Sequence, residues 1–263
     1  GKITAVAKDG SSMETVLSNI GNAAFNDPFY GWIDNEQIYF ADRNTGIRRI
    51  GVNERNLALS TSDAKYDYFV QNNRLEYYGN PWQYGAMNAC FAKVDGLWYW
   101  GKTYGGGGIF RFAESDISPV DISRGTNPPY ATIFPDEFVK SFVIDATNQI
   151  LYAVIRDKGL YAVPLTDITA NDATKTNTKA ESKYLVASFK SDSEGSVGEY
   201  VDVCQMVLDS SDGSVYFGLR AEEGSSETSG VKRWNPTTKK LETIVSGVNV
   251  YGIALNNELS NLF

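Results

Sequence analysis

Four basic residues occupy equivalent positions in the sequence, each a few residues into a short aromatic stretch and just before a loop. They are Arg43, Lys102, Arg156 and Arg220. Guanidinium and ammonium groups bind carboxylate, sulfate or phosphate, so four of them around one opening would form a site for an anionic group. The alternative is that each base pairs with a carboxylate of a neighbouring repeat, such as Asp27, Asp136 or Glu199, and only joins the repeats.

Aromatic residues near predicted strand ends and in loops form a second set that could contact a ligand. Flat rings with hydrogen-bonding tips stack on sugars and peptides. The aromatic candidates are Tyr30, Trp82, Tyr84, Tyr104, Tyr200 and Tyr251. Packing between repeats is the alternative for several of them, and it is weakest for Trp82 and Tyr104, which lie in loops. With the four bases, these rings predict a binding site.

The sequence contains no pattern that predicts a metal ion or a cofactor. Histidine, the commonest metal ligand and general base, is absent. The glycine run at 105–108 lacks the Lys-Ser/Thr pair of a phosphate loop, so it predicts a flexible hairpin. Asx residues that end apolar stretches predict turns rather than a metal cluster. They are Asp34, Asp95, Asp145, Asp209 and Asn256.

A repeated unit of short strands must position these candidates. One strand of each unit opens with a glycine, at Gly46, Gly108, Gly159 and Gly230, and the chain start at Gly1 fits the same slot. An aromatic strand precedes each glycine, and an apolar strand with an Asx residue at its end precedes the aromatic strand. Because four-stranded units cannot bury both faces alone, they must stack against their neighbours.

The two ends of the chain complement each other. The segment METVLS at 13–18 matches LETIVS at 241–246, and each is followed by a glycine and an apolar stretch. We therefore predict an all-β, five-bladed β-propeller that closes by pairing N- and C-terminal strands in one blade. The single domain covers 1–263, with approximate blades at 21–70, 71–135, 136–190, 191–246 and 247–263 plus 1–20. A β-sandwich is the alternative.

Two polar segments of low complexity, 166–182 and 221–229, predict solvated loops rather than linkers between domains. Residues 113–129 form a third insertion, which prolines interrupt. Cys90 and Cys204 lie at equivalent positions of two repeats that are not neighbours. This placement predicts buried, reduced thiols rather than a disulfide.

Composition limits the possible partners. The net charge of −8 over 263 residues argues against nucleic acid, because phosphate binding needs a basic face. No apolar stretch is long enough to span a bilayer, so we predict no transmembrane segment. The chain begins at Gly1 without an export leader, which is typical of a mature or trimmed chain, so a signal would not be visible. We expect a monomer.

Two repeats resemble the YWTD-type propeller repeat. The resemblance rests on Ile38-Tyr-Phe-Ala-Asp42 with Gly46-Ile-Arg-Arg49, and on the Gly-x-Ile pattern with Asp-Gly-Ser at 1–11. It implies an extracytoplasmic binding propeller. This chain departs from that family in having five predicted blades instead of six. The acidic position of the motif is kept only as Asp42.

A second resemblance concerns five-bladed glycoside hydrolases, which carry an Asp-Pro pair at their first innermost strand. Asp27-Pro28 is similar to that pair. Such hydrolases use a base carboxylate and an acid carboxylate on either side of the scissile bond. Asp27 as base and Glu199 as acid, with Asp136 or Asp145 tuning the pKa, would be the residues implied.

The leading hypothesis is a non-catalytic bacterial binding propeller, secreted, periplasmic or anchored at the cell surface. Its ligand would be a carbohydrate or a protein segment, bound at an opening lined by the bases and loop aromatics. The alternative is a glycoside hydrolase that uses a carboxylate pair.

Overall fold

The computed structural model describes residues 2–19, 28–42, 46–59, 68–71, 88–102, 108–113, 120–121, 131–135, 137–155, 158–168, 177–188, 201–221, 229–250 and 252–255. The chain divides into two compact units. The first unit comprises residues 1–130 with 171–175, and the second comprises 131–170 with 176–263.

The first unit contains three sheets. Its strands are β1 (Lys2–Val6), β2 (Met13–Asn19), β3 (Pro28–Asp34), β4 (Gln37–Asp42), β5 (Gly46–Gly51), β6 (Leu57–Leu59), β7 (Tyr68–Gln71), β8 (Asn88–Val94), β9 (Leu97–Lys102), β10 (Gly108–Ala113) and β11 (Val120–Asp121). Within this unit the strands are ordered β1-β2-β6, β3-β4-β5-β7-β11 and β8-β9-β10. Strands that follow each other in the chain pair antiparallel, which gives meanders joined by short turns.

The second unit contains two further meanders. Its strands are β12 (Ala131–Ile133), β13 (Val139–Asp145), β14 (Ile150–Ile155), β15 (Gly159–Pro164), β16 (Asn177–Thr178), β17 (Leu185–Ser188), β18 (Val201–Leu208), β19 (Val215–Ala221), β20 (Gly230–Asn235) and β21 (Lys240–Ser246). The meanders run β13-β14-β15-β17 and β18-β19-β20-β21. Short 3-10 turns lie at Leu165–Asp167 and Ser182–Tyr184.

The predicted glycines open the third strand of all four meanders, and the structure gives a steric reason for two of them. Gly159 begins β15 with φ +143°, and Gly230 begins β20 with φ +154°. A Cβ atom on Gly159 would overlap the carbonyl oxygen of Ala187, and one on Gly230 would overlap that of Val245. Glycine is required because the fourth strand approaches the backbone closely and φ is positive.

Apolar side chains from consecutive strand pairs pack together within each unit. In the first unit, Val16 and Leu17 of β2 are buried against Phe40 and Ile50. In the second unit, Tyr152, Val154 and Leu160 lie in one cluster with Met206 and other residues of β18–β20. Strand pairs that cannot bury both faces alone are thus stacked on a neighbour, as the sequence pattern predicts.

The all-β class is confirmed, and the succession of antiparallel meanders is a propeller-like arrangement. Four meanders are observed, and the fifth blade is not confirmed. β1 and β2 pair antiparallel, and the prediction makes them two strands of that blade. Their C-terminal partners are predicted within 247–263. Residues 247–250 and 252–255 form no strand, and positions 251 and 256–263 lie outside the described residues. Closure by the two chain ends stays a prediction.

The insertion predicted at 113–129 and the solvated loop predicted at 166–182 each contain a short strand, so the loop prediction for 166–182 is wrong in part. β11 lies in the first of them and pairs parallel with β7. β16 lies in the second and pairs parallel with β12, and Thr178 of β16 is buried. Polar composition conceals these strands, because two residues of backbone pairing leave little hydrophobic pattern.

Candidate functional site

Two of the four predicted bases, Lys102 and Arg220, have a described backbone, and both lie at the same end of their sheets. Lys102 is the last residue of β9 and pairs with Asn88, the first residue of β8. Arg220 lies near the end of β19 and pairs with Asp202, near the start of β18. Positions 43 and 156 directly follow β4 and β14. We call this end of each sheet, where the second strand finishes opposite the start of the first, the base end.

A β-bulge interrupts every first strand close to the base end. The pairing register shifts between Pro28 and Tyr30 in β3 and between Asn88 and Cys90 in β8. Equivalent shifts occur in the other two first strands, between Val139 and Ser141 in β13 and between Val203 and Gln205 in β18. A bulge bends a strand and redirects a side chain, and bulges are frequent beside binding and active sites.

Most of the predicted site residues lie outside the described part of the chain. These are Asp27, Arg43, Trp82, Tyr84, Tyr104, Asp136, Arg156, Glu199, Tyr200 and Tyr251. The structure describes the backbone, but not the side chains, of Tyr30, Lys102 and Arg220. Tyr30 pairs with Ala41 directly beside the bulge of β3. The assignment of these residues to a ligand site therefore stays a prediction.

The opposite end of each sheet is built from Asx turns. The Asp145 carboxylate accepts hydrogen bonds from the Asn148 backbone N–H at 2.9 Å and from its Nδ2 at 2.7 Å. Asp209 accepts a 2.9 Å bond from the Ser211 N–H. Asp95 and Gly96 have φ of +51° and +77°, as a two-residue hairpin turn requires. The turn interpretation is confirmed for these three aspartates.

The position of Asp145 bears on the hydrolase alternative. Asp145 ends β13, whereas the bulge lies at the start of that strand, beside Val139. Six residues of extended chain separate them, roughly 20 Å at about 3.3 Å per residue. The structure therefore does not bring Asp145 to the base end, and both of its carboxylate oxygens are already engaged by Asn148.

A further carboxylate at the turn end joins two neighbouring meanders of the first unit. Asp34 Oδ2 lies 2.9 Å from Lys93 Nζ, and both side chains are about three-quarters buried. The Lys93 ammonium also lies 5.3 Å from the centre of the Trp98 ring. Trp98 contacts Trp32 and Tyr39 at ring-centroid distances of 5.4 and 4.8 Å. At this end, opposite charges and aromatic rings join one repeat to the next.

One contact that sequence reasoning missed occurs twice in the second unit. The Ser141 hydroxyl of β13 accepts a 3.1 Å hydrogen bond from the Met206 N–H of β18. Gln205, which aligns with Ser141, accepts a 3.3 Å bond through Oε1 from the Ile253 N–H. Val250 and Ile253 thus lie along β18–β19 as β18 lies along β13. Gly218 makes room for this segment, because a Cβ there would come within 2.5 Å of Val250 Cγ1.

Burial affects the tyrosines that follow the turn end. Burial raises the pKa of Tyr152 above its ordinary value, and the nearby Asp145 charge adds to the increase. Burial likewise raises the pKa of Tyr99, against an opposing effect of Arg111. Cys90 is buried and forms no disulfide, as predicted. The side chain of Cys204 lies outside the described residues. Tyr99 and Tyr152 lie away from the base end, whereas Cys90 pairs with Gly101 beside the bulge of β8.

Fold and geometry together define an all-β repeat protein with a propeller-like arrangement. Neither a family model nor a curated protein matches the sequence. Solved structures do match. The periplasmic gluconolactonase of Pseudomonas aeruginosa is 9% identical, over 96% of this chain and 65% of that chain, with a TM-score of 0.54.

Two Bacteroides proteins are also similar. A candidate 6-phosphogluconolactonase of Bacteroides fragilis is 12% identical, over 93% of this chain and 63% of that one, with a TM-score of 0.51. The extracellular domain of a candidate one-component system of Bacteroides thetaiotaomicron is 14% identical, over 87% of this chain and 24% of that one, with a TM-score of 0.49. This chain spans less than two thirds of each of these three chains. Such identities indicate a shared fold and nothing further.

Within the described ranges, no helix reaches the length and hydrophobicity that a bilayer crossing demands.

Proposed function

We propose that the protein is a non-catalytic binding propeller of five blades, and that it binds a carbohydrate or a protein segment at the base end of its sheets. The observation that carries the proposal is the common register of the bases. Lys102 and Arg220 lie opposite the starts of their first strands. Positions 43 and 156 follow β4 and β14 in the sequence, which supports a placement of all four bases at the same end of their own sheets.

The chemistry of this end supports an anionic group on the ligand. The protein carries 24 basic against 32 acidic residues. Four bases at one repeated position therefore stand out against a net negative chain. Arginine offers a planar fork for a carboxylate or sulfate, and lysine adds a mobile point charge. The bulge beside each base gives the first strand a local bend, which can direct side chains toward a ligand.

The loop aromatics would supply the uncharged part of the site. Trp82 and Tyr104 lie in loops that the sequence places beside the base end of the second repeat. Stacking of an aromatic ring on a sugar or peptide contributes binding without adding charge. Such a role agrees with the resemblance to YWTD-type repeats, whose propellers bind ligands outside the cytoplasm.

An extracytoplasmic location forms part of the proposal. The structural relative from Pseudomonas aeruginosa is a periplasmic protein by name, and the YWTD-type resemblance implies the same side of the membrane. Fractionation of the source cells followed by immunoblotting tests this location. Recovery with cytoplasmic markers would contradict it.

The binding site is tested with two charge-matched variants. In the test variant, glutamine replaces the four bases of the proposed site, Arg43, Lys102, Arg156 and Arg220. In the control, glutamine replaces four bases elsewhere, Arg55, Lys179, Lys183 and Lys239. A glycan and peptide array that includes acidic ligands identifies a binder, and calorimetry then measures its Kd for both variants.

We expect the test variant to weaken binding at least about tenfold, which corresponds to about 1.4 kcal/mol, while the control stays near the parent. Trp82→Ala should weaken binding of the same ligand. If no array ligand binds at millimolar concentration, or if Trp82→Ala and the test variant bind as the parent does, the proposed site does not exist.

The hydrolase alternative remains with the pair Asp27 and Glu199. Asp27 directly precedes β3 in the sequence, which is compatible with a position near the proposed site. Hydrolysis of aryl glycosides or arabinan by the parent protein, abolished in Asp27→Asn, would replace the binding proposal with this one. Absence of turnover, with binding intact, would support the non-catalytic role.

A further inference from the structure

The outer strands of several sheets carry a short covering strand. β6 lies along β2, with Leu17 opposite Leu57 and Asn19 opposite Leu59. β11 lies along β7, and β16 lies along β12. All three pairings are parallel and only two or three residues long. Within this chain, a short parallel strand therefore repeatedly pairs with the outer edge of a sheet.

The covering strands come from one kind of connection. β6 lies between β5 and β7, β11 between β10 and β12, and β16 between β15 and β17. In each case the connection joins the third and fourth strands of a repeat and covers the fourth strand of the preceding repeat. A covering strand therefore requires a long connection at this place in the following repeat.

β21 has no such cover in the part of the chain that the structure describes. It ends the sheet β18-β19-β20-β21. By the order of the repeats, its cover would come from the connection between β1 and β2. That connection is a tight turn, in which the Ala7 N–H donates to the Ser12 carbonyl at 3.0 Å and the Gly10 N–H donates to the Ala7 carbonyl at 2.8 Å. So short a turn has no room for an additional strand.

The side chains of β21 differ in exposure from those of its counterpart β2. The two strands have matching sequences, with Val16 and Leu17 in β2 at the positions of Ile244 and Val245 in β21. Val16 and Leu17 are 1% and 0% exposed, whereas Ile244 and Val245 are 50% and 43% exposed. An outer edge with exposed apolar side chains can pair with another strand, and proteins usually block such edges with charge or cover.

We propose that the outer edge of β21 binds an extended segment of a partner polypeptide, parallel to β21, with apolar residues on either side of a small one. The three internal pairings fix the direction of the partner strand. The segment Leu57-Ala58-Leu59 pairs with the matching strand β2, so its residue types serve as the template for the sequence of the partner segment. Backbone hydrogen bonds would supply affinity and Ile244 and Val245 would supply apolar contact. The net charge of −8 opposes pairing between two copies of the chain.

A peptide from the chain itself provides the probe. Fluorescein-labelled Glu54–Ser60 (ERNLALS) is titrated with the intact protein, and its anisotropy is recorded. The control peptide has proline in place of the central alanine, which removes a backbone donor. The edge variant carries Ile244→Lys and Val245→Lys, and the control protein carries Thr237→Lys and Thr238→Lys in the exposed turn before β21.

We expect saturable binding of one peptide per chain, weakened at least about tenfold by the edge variant and by the proline peptide. The turn control should bind as the parent does. Hydrogen exchange of the amides at 241–246 should slow on peptide addition, which distinguishes β21 from displacement of β6 at β2. Absence of saturable binding, or equal binding by the edge variant, would overturn the proposal. Light scattering that shows a dimer lost in the edge variant would assign the edge to a second copy instead.

Discussion

Replacement of Gly159 by alanine tests why a glycine opens the third strand of each repeat. Gly159 has φ +143°, a region that residues with a Cβ rarely adopt. The added Cβ would overlap the Ala187 carbonyl oxygen and lie 3.0 Å from Ser188 Cα. Both atoms belong to the backbone of β17, which pairs with Gly159, so no flexible side chain can move aside.

The expected cost has two parts. Holding a non-glycine residue in this backbone region costs about 1–3 kcal/mol. Displacing a packed backbone segment costs about 1–3 kcal/mol more. We therefore expect Gly159→Ala to lower the free energy of unfolding by about 2–6 kcal/mol. At about 2–4 °C per kcal/mol, this corresponds to a decrease in Tm of roughly 4–24 °C.

Gly31→Ala is the matched control. Gly31 lies in β3, and the nearest atom to its added Cβ is the Tyr39 carbonyl oxygen at 3.8 Å, an ordinary contact. Its stability should stay within about 1 kcal/mol of the parent. Urea unfolding monitored by tryptophan fluorescence gives the midpoint and the m-value of each variant. Equal midpoints for Gly159→Ala and Gly31→Ala would refute the steric explanation of the repeated glycine.

Three further predictions concern single contacts. Ser141→Ala leaves the Met206 N–H without its 3.1 Å partner and should lower the free energy of unfolding in urea by about 1–3 kcal/mol. Ser211→Ala should change it by almost nothing. Equal midpoints for the two variants would contradict the role of the Ser141 hydroxyl. Asp34→Asn weakens the ion pair with Lys93 and should lower the free energy of unfolding by about 1 kcal/mol or less. This difference from the parent should shrink as the salt concentration rises. A difference that does not depend on salt would indicate that packing causes it. Because burial raises the pKa of Tyr152, the unfolded chain loses this proton first, and stability should fall as pH rises above about 10. Tyr152→Phe should make that fall shallower in urea midpoints from pH 9 to 11, and an unchanged slope would exclude Tyr152 as a contributor.

Strand starts and hairpin turns could be predicted from the sequence, because both depend on local rules. Gly46, Gly108, Gly159 and Gly230 each begin the third strand of a meander, as the repeat alignment predicts. The pair Asp95-Gly96 marks a two-residue turn through its left-handed backbone preference. In both cases a few adjacent residues carry the whole signal.

The bulges and covering strands could not be predicted, since they depend on pairing between distant segments. β16 joins Asn177 and Thr178 to β12, more than forty residues earlier in the chain. No alternation of apolar and polar residues marks so short a strand. A bulge such as the one between Val139 and Ser141 is a shift in register relative to β14, so β13 alone does not reveal it.

The sequence predicts the candidate site as a set of equivalent positions in the repeats. It does not predict how the side chains at these positions are arranged. Aligning the repeats places the four bases together, and the observed register of Lys102 and Arg220 agrees with that alignment. The sequence does not separate a base that faces a ligand from one that pairs with a carboxylate. That distinction depends on loop conformation, which local patterns determine poorly.

The two ends of each sheet differ in the contacts that their residues make. At the turn end, Asp145 is held by Asn148, and Asp34 pairs with Lys93, so these carboxylates already have partners within the fold. At the base end, a bulge interrupts the first strand of each of the four meanders, and Lys102 and Arg220 lie at the ends of their second strands. Binding residues are concentrated on loops that a rigid scaffold positions. Under the proposed function, variation at the base end would change the ligand without breaking the contacts of the turn end.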